Sequence, residues 1–181
     1  MSRQSIYEQA LGTDYLRLPA AVQRFHTLKG HTVLRGWVET GAPESVLARC
    51  LALCLGSPRS TSAGPLRFEL ITGPDKETWT RHFPTRTMSS QMTLAAGHLV
   101  ERLGAAQLTF RLTANENGLS MKLLTLRFFG VSCPHWLMPQ VVAEETGAGD
   151  RLQFHVKAAL PFVGTVAWYR GHLEVSPEEQ S

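Results

Sequence analysis

The chain has 181 residues, 43% of them apolar, and a formal net charge of +3. That length suits one domain with a real core, and that apolar share argues against a disordered chain. The arginines are scattered singly rather than clustered, which argues against nucleic-acid binding, and no stretch approaches the about 20 apolar residues of a membrane span.

From the N-terminus, Ser5 to Leu11 reads as a short helix, with Ser5 as cap, Glu8 three residues on and Gly12 as stop. Pro19 to Leu28 reads as a second helix, with Leu18, Val22 and Phe25 at helical spacing. His31 to Thr40 alternates as a strand. Ala42 to Leu55 has the clearest helical pattern: Pro43 and Glu44 suit its first turn and Gly56 its end. The body V-L-A-R-C-L-A-L-C-L is apolar nearly all round, which predicts a helix buried on more than one side or closing off an apolar space.

Ser57 to Pro65 is rich in Ser, Pro and Gly and reads as a loop. Leu66 to Thr72 and Glu77 to Phe83 form a hairpin about G-P-D-K. Arg86 to Leu94 is a weaker strand, and His98 to Leu103 suits a strand end or a helical turn. Gln107 to Ala114 and Leu119 to Phe129 flank N-E-N-G, the strongest hairpin signal. Between Leu123 and Leu124 the alternation slips phase, as a strand-bending bulge requires. Gly130 to Pro139 breaks the pattern and crosses an end of the sheet. Val141 to Thr146 and Arg151 to Leu160 pair about G-A-G-D; Thr165 to Val175 is the last strand, and Ser176 to Ser181 is a polar tail.

Helices early and strands late predict an α+β fold. Its strongly curved, mainly antiparallel sheet of about seven to nine strands is barrel-like and covered by two or three helices from the N-terminal half. No repeat or linker divides the chain, so residues 1–181 read as one domain with an ordered core over 6–175.

The sequence lacks a G-x-G-x-x-G after a strand, a Walker loop, a G-x-S-x-G elbow and an H-E-x-x-H pair. Its cysteines are Cys50, Cys54 and Cys133, an odd count with no apolar leader at the N-terminus, which points to a cytoplasmic protein without a disulfide framework. Cys50, Cys54, Cys133 and His135 match no standard zinc spacing, so neither a metal nor a cofactor is expected.

Two arginines interrupt apolar strand faces: Arg35 between Val33 and Trp37, and Arg81 between Trp79 and Phe83. Each lies either beside surface aromatics or in an interior polar cluster that orients a ligand head group. A buried guanidinium needs acceptors, and Glu39, Glu101, Glu144 and Glu145 are the partners at hand. Gly171, between Tyr169 and Leu173, leaves room for another backbone or a ligand.

Several segments in order carry a family resemblance: L-P-A-A-V-Q-R-F-H, R-G-W-V-E, E-T-W-T-R-H-F, H-L-V-E-R-L-G, L-T-F-R-L, G-L-S-M-K-L and L-P-F-V-G-T-V-A-W-Y-R-G-H-L. Together, from about Tyr7 to Glu174, they resemble a bacterial domain-of-unknown-function family, DUF4166, in its free-standing form. Members also occur fused to NAD(P)-dependent dehydrogenase-like or epimerase-like domains. The resemblance implies no activity and no catalytic residue. It does imply a docking role on a dehydrogenase-like partner as one reading. The reading from the residues themselves is a non-enzymatic domain that binds an apolar or lipid-like small molecule. Trp37, Trp79, Arg81, Glu101, Phe110, Leu112, Met121, Trp168 and Tyr169 are its expected contacts. An enzyme built on Arg81, Glu101, Tyr169 and His135 is the third reading.

Overall fold

The computed structural model describes residues 4–175. Three helices and eleven strands follow one another: α1 (Ile6–Leu11), α2 (Ala20–Thr27), β1 (Gly30–Thr40), α3 (Val46–Leu55), β2 (Ser62–Thr72), β3 (Lys76–Phe83), β4 (Arg86–Ala95), β5 (His98–Leu103), β6 (Ala106–Asn115), β7 (Gly118–Phe128), β8 (Val131–Ser132), β9 (Gln140–Ala148), β10 (Arg151–Leu160) and β11 (Gly164–Glu174). The predicted tail from Ser176 onward lies outside the described residues.

The sheet runs β6-β5-β4-β3-β2-β1-β11-β10-β9-β7-β8, and β6 also pairs with β7. That pairing closes ten strands into an antiparallel barrel, with β8 a two-residue appendage on β7. Closure removes the exposed edges that would invite aggregation. The fold is α+β and barrel-like, but the strand count exceeds seven to nine. The undercounted region is β4 and β5, whose inward positions include Ser90 and Glu101 among apolar residues. Polar residues on the inner face weaken the alternation that marks a strand.

The inner face follows the period-two rule along each strand. Leu66, Phe68 and Leu70 are buried in β2, as are Trp79, Arg81 and Phe83 in β3, while their neighbours turn outward. The N-E-N-G hairpin is closed by Asn115, whose Oδ1 accepts from the backbone of Asn117 (2.8 Å) and Gly118 (3.1 Å). Across β6 and β7, Thr109 pairs with Thr125 but Phe110 pairs with Leu123, which leaves Leu124 as the extra residue. The phase slip in the sequence is therefore a bulge, and it bends the barrel wall.

At β1 and β11 the wall folds over itself. A Cβ at Gly36 would strike the backbone carbonyl of His172, and one at Gly171 that of Trp37. The room left by Gly171 is taken by a neighbouring strand.

One end of the barrel is plugged. Ser5 caps α1 through a reciprocal box with Glu8, and α1, the 3-10 turn Gly12–Arg17 and α2 pack over the ends of β4, β5, β6, β9 and β10. Tyr7, Val22 and Phe25 are fully buried there, in one core cluster with Phe68, Trp79 and Leu99. At the opposite end α3 crosses the rim. It starts at Val46, after a Ser45 cap, because Ser45 Oγ accepts from the Ala48 N–H; Pro43 and Glu44 therefore precede the helix rather than forming its first turn. Only Ala48 and Ala52 of α3 are buried, so of the two arrangements its composition allows the helix takes the second, closing off an apolar space rather than being enclosed on several sides. The loop after it also ends sooner than its composition suggests, since β2 begins at Ser62 and carries Pro65 on its outer face.

Candidate functional site

Eight strands already give a barrel wide enough to hold one small ligand, and ten widen it further. Between the helical plug and α3 the interior holds a cavity of about 400 Å³. Its walls are the inward aliphatic and aromatic side chains of the strands, including Phe68, Met88, Met92, Leu108, Leu126 and Val156. At the rim it is bounded by Leu47, Leu51 and Leu55 of α3, and by Phe128, Cys133, Leu137 and Pro139 of the segment leading from β7 to β9. Hydrogen bonds hold α3 in place at both of its ends. Ser45 Oγ donates to the Val163 carbonyl (2.8 Å), and the Ala105 N–H donates to the Cys54 carbonyl (3.1 Å).

A polar cluster is set into this apolar lining, toward the plugged end. Arg81 is buried and lies over the rings of Trp79 (5.1 Å) and Phe68 (5.7 Å). Its one hydrogen bond within the described residues runs from an NH1 donor to Ser90 Oγ (3.1 Å). A guanidinium has five N–H donors, so most of the donor capacity of Arg81 is unused by the protein. The carboxylates expected to pair with it do not. Glu145 is bound instead to His26 (Oε2 to Nε2, 2.7 Å) and Glu39 to Arg170 (2.9 Å). Glu101 lines the same cavity as Arg81 without an ion pair among the described residues.

Beneath them, Tyr7 stacks on His26 with ring centroids 3.7 Å apart, and Phe25 meets Trp79 edge to face at 5.4 Å. Glu77 accepts from Trp79 Nε1 (3.0 Å). Burial pushes the Glu77 carboxyl upward, opposed by the nearby His26 and by the Trp79 hydrogen bond; the Glu145 charge adds to the rise. Burial likewise raises the Tyr7 and Tyr169 hydroxyls, with the carboxylates adding to it and Arg81 opposing. Tyr7 Oη and His26 Nδ1 are buried without a hydrogen-bond partner among the described residues.

Of the residues named from the sequence, Trp79, Arg81, Glu101, Phe110, Met121 and Tyr169 line the cavity. Leu112 points inward but packs against the core cluster instead. Trp37 and Trp168 point outward. Trp37 is the outward neighbour of buried Val38, and Trp168 alternates with Tyr169, so period two forbids Trp168 and Tyr169 from lining one interior. Arg170 lies over the Trp168 ring (5.6 Å), and Arg35 is exposed. The two interrupting arginines thus divide, Arg35 to the surface and Arg81 to the interior. His135 sits exposed in the rim segment, apart from the interior cluster. The three cysteines are free thiols.

Sequence reasoning passed over Tyr7, His26 and Glu77 as members of the cluster, and took Glu145 only as a partner for arginine. For the glutamates a signal was present. Glu77 continues the inward series Trp79, Arg81, Phe83, and Glu145 continues Val141, Ala143. His26 follows Phe25 on the buried stripe of α2.

The fold and site define a closed antiparallel β-barrel with a hollow, mainly apolar interior and an ionisable cluster inside it. Residues 18–173 match the family described as "Domain of unknown function (DUF4166)", and the chain belongs to that family. Among solved structures it is similar to the crystal structure of Rv2717c from M. tuberculosis, at 10% identity and a TM-score of 0.47, over 88% of this chain and 99% of that one. No curated protein matches the sequence.

Proposed function

We propose that the chain is a non-enzymatic binding barrel for an amphipathic, mainly apolar small molecule. The hydrocarbon part fills the space below α3, and the polar end meets Arg81 and Glu101. The observation that carries this reading is Arg81 itself. A guanidinium buried in an apolar wall, with one hydrogen bond and no carboxylate in ion-pair contact among the described residues, is costly unless another acceptor reaches it. A carboxylate or other oxygen-rich head group on the ligand supplies that acceptor, and a hydroxyl or amine on the same head suits Glu101. The volume of about 400 Å³ falls within the range of small-molecule sites, roughly 300–1,000 Å³.

The test is displacement of an apolar fluorescent probe by a long-chain fatty acid and by the alkane of equal length, with native mass spectrometry for stoichiometry. The acid is expected to bind one to one and more tightly than the alkane. Arg81→Met removes that preference, roughly tenfold or more, while leaving alkane binding. Ala158→Phe, which places a ring in the cavity, abolishes both. Unchanged affinity in the Ala158→Phe protein overturns the reading.

A further inference from the structure

The rim crossed by α3 carries apolar side chains that the fold leaves in water. Phe162 is 98% exposed, Val46 80%, Val131 72%, Phe129 71% and Trp136 70%. The segments that carry them are joined around the rim by hydrogen bonds. Phe162 sits in the β10–β11 turn, whose Val163 carbonyl anchors the start of α3. The far end of α3 is held by Ala105, and the Ala105 carbonyl accepts from the N–H of Phe129 (2.9 Å). Val131 and Trp136 follow in the segment that also supplies Cys133, Leu137 and Pro139 to the cavity mouth. Apolar surface of this extent around a cavity mouth marks an interaction site.

The exposed charges around the collar are mainly basic. Arg49 on α3, Arg59 after it, Arg102 at the end of β5 and Arg127 at the end of β7 are exposed, and none stands in an ion pair among the described residues. The acidic group on this rim, Glu44, is occupied by the backbone N–H and the hydroxyl of Thr165, both at 2.8 Å. At the opposite end acids and bases are interleaved and paired: Asp14 with Arg17, Asp150 with Arg24 and Glu174 with Arg151.

We infer that the α3 end docks on an anionic lipid bilayer, with Phe162, Val46 and Trp136 entering the interface and the arginines facing the lipid headgroups. Exposed aliphatic and aromatic side chains with a basic surround are the chemistry of interfacial membrane binding. No helix among the described residues is long and apolar enough to cross a membrane. The cavity mouth lies inside the docking face, so an apolar ligand passes between bilayer and barrel without crossing water. This use of the face rests on the binding role proposed above; the docking itself is measured without any cavity ligand.

The test is co-sedimentation of the full chain with phosphatidylcholine vesicles, with and without phosphatidylserine. Binding is expected on the anionic vesicles, falling with added salt. Phe162→Ser combined with Val46→Ser should weaken it tenfold or more. Arg49→Gln and Arg127→Gln should each weaken it about fivefold. These side chains are exposed, so the variants keep the melting temperature of the parent protein. Equal binding to both vesicle types, or none to either, overturns the inference, as does self-association of the chain abolished by the same substitutions. Displacement of the apolar probe in vesicle-free solution reads the cavity separately. It should be unchanged in the Phe162→Ser, Val46→Ser protein, so a failed docking surface and a failed binding site are told apart.

Discussion

The two ends of the barrel are built from the same strands and yet differ in almost every side chain that matters. At the end closed by α1 and α2, large residues are fully buried, polar atoms are drawn inside, and the acidic residues outside are paired with arginines. At the end crossed by α3, two alanines hold the helix down while leucines, a valine and several aromatics stay in water, among arginines. A closed sheet provides stability all round, so it does not require this asymmetry. The difference teaches that one end is packed shut while the other keeps its apolar side chains in water.

The sharpest way to break the comparison is to remove one buried ring from the plug. Phe25 is 1% exposed and touches Phe68 and Trp79 edge to face. Phe25→Ala is expected to cost about 3–5 kcal/mol, from lost burial and the cavity left behind. The corresponding change at the open end, Leu53→Ser on the exposed side of α3, should stay within about 0.5 kcal/mol. Urea denaturation of both variants gives the two numbers. Comparable losses would mean that α3 is as much a part of the core as α2, and the distinction between the ends would fail.

A smaller effect sharpens the same contrast through polar chemistry. Glu145→Ala leaves His26 Nε2 buried without its 2.7 Å partner, on a ring whose Nδ1 already lacks one. The expected cost is about 1–3 kcal/mol, and Glu145→Gln, which keeps an acceptor oxygen, should recover much of it. Equal losses in the two variants would show that charge, not the hydrogen bond, holds α2 to β9.

Most of the barrel can be read from alternation, because an inner face that is dry for ten residues leaves a period-two trace. The bulge at Leu124 could be read too, since an inserted residue shifts that trace by one. Closure could not. Pairing of β6 with β7 is local, but the ring is completed by β1 on β11 and β7 on β9, and no short window contains those partners. The site was half visible for a related reason. Arg81 stood out as a charge in an apolar series, whereas His26 and Tyr7 reach the cluster from helices whose docking onto the strands is a tertiary fact. Trp37 and Trp168 drew notice by size, and size does not reveal which face of a strand a residue occupies.

The smallest effect separates the ends by the direction of their response to pH. Burial raises the Glu77 carboxyl at the plugged end. Between its ordinary value and this raised one, the folded protein holds a proton that the unfolded chain has released. The Glu77 contribution is therefore full at low pH and is lost as pH rises through that window. At the open end Glu44 is lowered by the two hydrogen bonds from Thr165, so its contribution is present above the ordinary carboxyl value and is lost as pH falls. Neither Glu77→Gln nor Glu44→Gln can titrate, and each variant subtracts one of these slopes. Melting temperatures followed from acid to neutral pH should show the parent losing ground against Glu77→Gln as pH rises, and against Glu44→Gln as pH falls. A common slope for both would mean that the ends share one electrostatic environment, and burial would then have to be the whole of what divides them.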